Sequence, residues 1–177
     1  MATDETAGTR SAVRLALAGA GTAHVETGVP VLDRLLEQLA SYGRFDLTLG
    51  VAPGSADAQV AESGQAFGSA LATVLRAEGA YGHGSAHVPS AEALAHVALD
   101  LSDDPCLVTN FDFSSAHVGG LAGDLADRFL NELACAAGIT LHVRLVEGRD
   151  TEHVLGAIFK ALGVALEAAC RVRGEST

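Results

Sequence analysis

The residues able to do chemistry are thinly spread, and the densest group is RDTEHV at 149–154, where an acid and a histidine stand side by side. Imidazole titrates near neutral pH, so His153 with Glu152 beside it could work as a general acid or base. The same stretch also reads as a helix N-terminus, capped by Asp150 or Thr151, with its acids favourable against the helix dipole. Glu92 in VPSAEAL offers a second carboxylate, whose plain reading is a solvent-exposed turn residue. His83 and His87 lie in YGHGSAH, whose glycines let backbone approach a ligand closely, and His96 alternates with Val97 and Leu99. His96 thus reads either as a ligand contact or as the polar face of a strand.

Charge and apolar patterning limit what such residues can serve. The formal charge is -11, from 22 acidic and 11 basic residues, and the basic ones form no stripe, so nucleic acid is repelled. No apolar run is expected to reach the ~18 residues of a membrane span, and the start, MATDETAGTR, has neither the basic nor the apolar region of a leader. No membrane partner and a cytoplasmic location are the expectations. Cys106, Cys135 and Cys170 are far apart in apolar segments, with no CxxC spacing, and are read as small core residues.

The elements that must position the polar groups follow from hydrophobic spacing. Helical stripes run through Val31, Leu32, Leu35, Leu36 and Leu39, then Val60, Phe67, Leu71, Val74 and Leu75. Two more run through Leu121, Leu125, Phe129, Leu130 and Leu133, and through Val154, Ile158, Leu162, Leu166 and Ala169. Strand-like runs intervene: SAVRLALAG, RFDLTLGV, HVALDLS, CLVTNFDF and ITLHVRLV. On the first helix Asp33, Arg34, Glu37 and Gln38 make a charged face whose plain reading is a salt-bridged surface.

The order strand, helix, strand, helix occurs twice, and so do the residues. LLEQLASYGRFDLTLGVAPG lies on FLNELACAAGITLHVRLVEG at a constant shift, matching Leu36 to Leu130, Leu47 to Leu141 and Gly54 to Gly148. With one inserted residue AFGSALATVLR lies on ALGVALEAACR, matching Gly68 to Gly163 and Arg76 to Arg171. Residues 1–177 are thus one domain of two repeats, about 10–93 and 94–171. The expected fold class is α+β, with duplicated β-α-β units and helices packed between two mixed sheets.

TGVPVLDRLLEQLASYGRFDLTLGV, VPSAEALAHVALDLS and ITLHVRLVEGRDTEHVLGAIFKALGVAL together resemble imidazoleglycerol-phosphate dehydratase over about residues 10–171. The resemblance implies that family's fold, of the ribosomal protein S5 domain 2-like kind, and a reaction in which two manganese ions hold the substrate as an imidazolate while water is lost. It also implies a homo-oligomer, a trimer or larger, with sites shared between subunits. The family's His-His-x-x-Glu motifs fall here on Asp57, Ala58 and Ala61 in the first half and on Glu152, His153 and Gly156 in the second. Its first-helix histidine falls on Arg34 and the histidine before the Phe-Asp-Leu strand on Tyr42.

Alanine and glycine bring no donor, and a guanidinium repels a dication, so no metal and no other cofactor is expected. Asp57, Glu62 and Glu152 leave room for one weakly held cation as the minor reading. Asp103 and Asp104 stand where the family places a phosphate-binding arginine turn, whereas Lys160 matches its phosphate-binding lysine. The expected site combines His153, Glu152, Arg34, Tyr42 and Glu62 as catalytic groups with Lys160, Glu92, Asp57 and His96 as contacts to a small-molecule ligand. The functional expectation is a divergent, metal-independent enzyme acting on a different small molecule in specialised metabolism. A non-catalytic binding or structural paralogue, and an active dehydratase of histidine biosynthesis, are the alternatives.

Overall fold

The computed structural model describes residues 11–113, 117–118 and 121–174. A first sheet joins β1 (Ala12–Ala16), β2 (Ala23–Glu26) and β3 (Asp46–Gly50) in the order β1-β3-β2, with β1 antiparallel and β2 parallel to β3. A second joins β4 (His83–Ser90), β5 (Ala93–Leu101), β6 (Cys106–Thr109) and β9 (Ile139–Glu147) in the order β4-β5-β9-β6. Here β5 is antiparallel and β6 parallel to β9, so β5-β9-β6 repeats the topology of β1-β3-β2 and β4 is an added edge. A short ribbon pairs β7 (His117–Val118) with β8 (Leu121–Ala122).

The helices are α1 (Pro30–Gly43), α2 (Ala56–Leu75), α3 (Gly123–Ala137) and α4 (Thr151–Cys170). Three of them, α1, α2 and α4, begin for a local reason. Pro30 opens α1, where its missing N–H costs nothing, and Asp33 in the first turn accepts hydrogen bonds from Thr27 N at 2.9 Å and Thr27 Oγ1 at 2.5 Å. Asp33 is thus an anchor for the entering loop rather than part of a salt-bridged face. Ser55 caps α2 by accepting from Ala58 N at 3.2 Å, and Asp150 caps α4 by accepting from His153 N at 3.1 Å.

The first sheet is covered by α1 and α2 and the second by α3 and α4, so all four lie between the sheets, α1 against α4 and α2 against α3. The expected α+β class with two mixed sheets is what the fold shows. Phe45, Phe67, Phe129 and Phe159 are fully buried among leucines from every helical stripe. Glycine permits the closest helix contacts: a Cβ on Gly163 would sit 2.2 Å from Leu39 O across the α1–α4 contact, and one on Gly68 2.6 Å from Leu133 O across α2–α3.

Three expectations need correcting. Cys106 and Cys135 are exposed, because Cys106 points out of an edge strand and Cys135 off the solvent face of α3; Cys170 alone is buried, and burial pushes its thiol up to about 12. The 20-residue helix α4 has a mean hydropathy of 1.5, long and apolar enough to cross a membrane, but 72% of it is buried against α1, β4 and β5 as a core helix. Lastly, β2 and β4 had no strand signal: β2 is four residues long, and HGSAHVPS in β4 carries glycine and proline instead of an apolar alternation.

Candidate functional site at the α1–α4 junction

Two sets of residues at four-residue intervals face each other where α1 meets α4. Arg34, Gln38 and Tyr42 lie along one side of α1; Glu152, Gly156 and Lys160 lie along one side of α4. Val31, Arg34, Leu35, Gln38, Glu152 and Leu155 enclose a cavity of about 70 Å³ with an apolar floor and a charged rim. Below it the space is filled. A Cβ on Gly156 would lie 3.0 Å from Ser90 Oγ and 3.4 Å from Gln38 Oε1, and Lys160 Nζ donates to Ser90 Oγ at 3.0 Å. The same ammonium stands 5.3 Å from the centre of the Tyr42 ring, a cation–π contact. Gln38 Oε1 is buried and has no hydrogen-bond partner among the described residues.

Beside this junction Glu92 organises the start of α4. It sits in the two-residue turn between β4 and β5, where Ala91 takes a left-handed φ of 50°. Its Oε1 accepts from Arg149 N at 3.2 Å and Asp150 N at 3.0 Å, while Oε2 meets His153 Nδ1 at 2.5 Å. The backbone donors of Asp150 and Arg149, more than the imidazole, hold the Glu92 carboxyl down to about 2. The hydrogen bond to Glu92 raises His153 above its ordinary value, with Asp150 and Glu152 adding in the same direction. The result is a close imidazole–carboxylate pair at the surface, with Asp150 Oδ1 3.8 Å from the same ring nitrogen.

Six of the expected residues therefore lie at or beside this corner, Arg34, Tyr42, Glu152, His153, Lys160 and Glu92, with Asp150 there as the helix cap. The others lie elsewhere. Asp57 starts α2 and pairs with Arg128 Nε at 3.6 Å; Glu62 accepts from Ser11 Oγ at 2.5 Å on the side of α2. His96 is on the outer face of the second sheet, stacked on His87 with ring centres 4.0 Å apart. Burial, then His87, Arg144 and His142, lower its pKa. Gln38 and Ser90 were missed as site residues. The one signal for Gln38 was its spacing of four from both Arg34 and Tyr42.

The duplicated counterpart of this corner lies between α3 and α2. There the positions of Arg34, Gln38, Glu152 and Lys160 are taken by Arg128, Glu132, Asp57 and Gln65. Those side chains close on one another: Arg128 reaches Asp57 and also Glu132 at 3.8 Å, and Gln65 Nε2 donates to Glu132 Oε2 at 2.8 Å.

Two mixed sheets around four helices, built twice from one β-α-β plan with a polar corner at a helix junction, define a duplicated α+β enzyme-family fold. The family profile of imidazoleglycerol-phosphate dehydratase matches residues 27–166, and the chain belongs to that family. Imidazoleglycerol-phosphate dehydratase from Desulfitobacterium hafniense is 40% identical over 174 residues, covering 94% of this chain and 87% of that one. The Bacillus subtilis protein of the same name is 38% identical, covering 87% and 81%. The crystal structure of the dehydratase from Staphylococcus aureus superposes with a TM-score of 0.83 at 25% identity, covering 96% of each chain.

These relatives overturn the expectation of an enzyme for a different small molecule in specialised metabolism. That reading leaned on a handful of site positions, whereas the identity extends through nearly the whole chain and favours the alternative of an active family enzyme.

Proposed function

We propose that this chain dehydrates imidazole glycerol phosphate in histidine biosynthesis, with the α1–α4 corner as its site. The observation that supports this most is the 40% identity over 94% of the chain to a protein named for that reaction. Lys160, which matches the family's phosphate-binding lysine, is steadied by Ser90 and Tyr42 and supplies the cation for the phosphate. Dehydration needs a proton taken from carbon and another delivered to the departing hydroxyl. His153, whose pKa the hydrogen bond to Glu92 raises, is the proposed acid for the second; Glu152, which lines the cavity, is the proposed carboxylate for the first. A small-molecule ligand, a cytoplasmic location and assembly into a homo-oligomer, a trimer or larger, belong to the same proposal.

The family's reaction implies two manganese ions, which would make the carbon-bound hydrogen removable. The residues present within one chain do not fit such a pair. Among the described residues no three His, Cys, Asp or Glu side chains are grouped to hold an ion, and Ser90 and Gln38 fill the direction in which a side chain at 156 would point. Arg34 adds a fixed positive charge at the rim.

The test is loss of water from imidazole glycerol phosphate, followed by mass, with and without added manganese. Turnover is expected, falling by ~10²–10⁴-fold in His153→Ala. No turnover under either condition, with the protein folded, overturns the proposal.

A further inference from the structure

We propose that His87 and His96 form a two-imidazole site for a divalent transition ion of the zinc or nickel class, on the outer face of the second sheet. The two residues stand directly opposite each other on the antiparallel strands β4 and β5. Their rings are stacked, with centres 4.0 Å apart and planes 8° apart. Among the described residues neither ring makes a hydrogen bond or an ion pair, so their nitrogens are left to solvent or to a ligand. A turn of each ring about its Cβ–Cγ bond lets one nitrogen from each approach a common ion at the ~2.1 Å of a zinc–imidazole bond.

The surroundings favour the ligating form and narrow the choice of ion. Ligation needs neutral imidazole. Burial, with the charges of His87, Arg144 and His142 adding to it, holds the His96 pKa below its ordinary value. Arg144 stands opposite His96 on β9, and its guanidinium disfavours any dication nearby. An ion must therefore prefer imidazole strongly to bind here. Zinc and nickel do, whereas manganese and magnesium favour carboxylates and water. Among the described residues no three His, Cys, Asp or Glu side chains are grouped to hold an ion, so the protein supplies two ligands and water the rest.

The duplicated plan marks the pair as an addition. The first sheet, β1-β3-β2, repeats β5-β9-β6 and has no strand matching β4. A row across it reads Arg14, Thr48 and His24, with one imidazole. In the second sheet the β4–β5 pairing runs on from His87 and His96 through three more residue pairs to the turn at Ala91 and Glu92. An ion held by the two rings ties the edge strand to β5 on the face opposite α4, and so steadies the hairpin that carries Glu92.

Calorimetric titration of the full chain with zinc(II), and separately with nickel(II), tests the site against His87→Gln and His96→Gln. Each variant should lose one bound ion per chain or hold it at least about tenfold more weakly. Zinc should raise the Tm of the parent chain more than that of either variant, since an ion bound to the native state alone stabilises it. Arg144→Gln should bind about threefold more tightly once the repulsion is gone. Manganese(II) at equal concentration should not displace the zinc. His87 is exposed, so His87→Gln keeps the test open should a change at the half-buried His96 disturb folding. Equal zinc binding by the parent and the folded variants, or displacement by equimolar manganese, overturns the proposal. No turnover enters these readouts, so the dehydratase reading stands or falls separately.

Discussion

The two helix junctions of this fold are copies of one plan, and they have gone opposite ways. Between α2 and α3 the polar positions join as Asp57, Arg128, Glu132 and Gln65, a closed surface network. Between α1 and α4 the matching positions hold Glu152, Arg34, Gln38 and Lys160; there a cavity stays open, an amide oxygen stays unpaired, and the lysine turns to an aromatic ring. The backbones beneath are alike, down to a glycine in each that lets one helix press on the other. Packing therefore constrains both junctions, while a few side chains decide which of them can receive a ligand.

Breaking the shared part should have the largest effect. Gly163→Ala puts a Cβ 2.2 Å from Leu39 O, and Gly68→Ala one 2.6 Å from Leu133 O; both contacts are with backbone that cannot yield cheaply. Each should cost ~1–3 kcal/mol by overpacking, Gly163→Ala the more, as read from denaturant melts. If only one of the two destabilises, the junctions are not mechanically equivalent.

A smaller effect is expected from opening the closed junction. Arg128→Ala removes both of its ion pairs, but Arg128 and Asp57 are about half exposed, so screening limits the loss to at most ~1 kcal/mol, shrinking further in high salt. A loss of several kcal/mol would mean that the network holds α2 to α3 rather than merely covering their contact.

The smallest effect sharpens the contrast at the helix starts. His153 leans on Glu92, whereas its counterpart Ala58 on α2 has no such side chain. A raised histidine contributes stability below its unfolded value of 6.5, lost as pH rises through the higher folded value. Glu92, held to about 2, contributes above 4.5 and loses its contribution as pH falls towards 2. The pair therefore helps most between about 4.5 and 6.5. An NMR titration should find His153 above the ordinary histidine range in the native protein and lower in Glu92→Gln, and an unchanged midpoint would show that the pair is not formed in solution.

Much of this was legible in the sequence because it depends on periodicity. The apolar stripes located all four helices, and the shift that laid Leu36 on Leu130 also exposed the repeated sheet plan. What escaped depends on three-dimensional neighbours. The β4 edge strand lacks alternation because it is one glycine- and proline-bearing edge covered by α4, so no periodic signal marks it. Glu92 and His153 stand 61 positions apart, and only the turn at Ala91 and the cap at Asp150 bring them together. His96 shows the reverse case: alternation alone placed it correctly on a strand's polar side, but nothing in the sequence says that this side faces away from the helix junction.

The buried helix α4 carries a further consequence for how the chain matures. It follows every strand of both sheets in the sequence, yet α1, β4 and β5 all close upon it. During synthesis these three elements emerge before their common partner exists, leaving greasy surfaces uncovered until the final helix leaves the ribosome. A truncation that removes α4 should therefore yield a chaperone-bound or aggregated product rather than a smaller folded one.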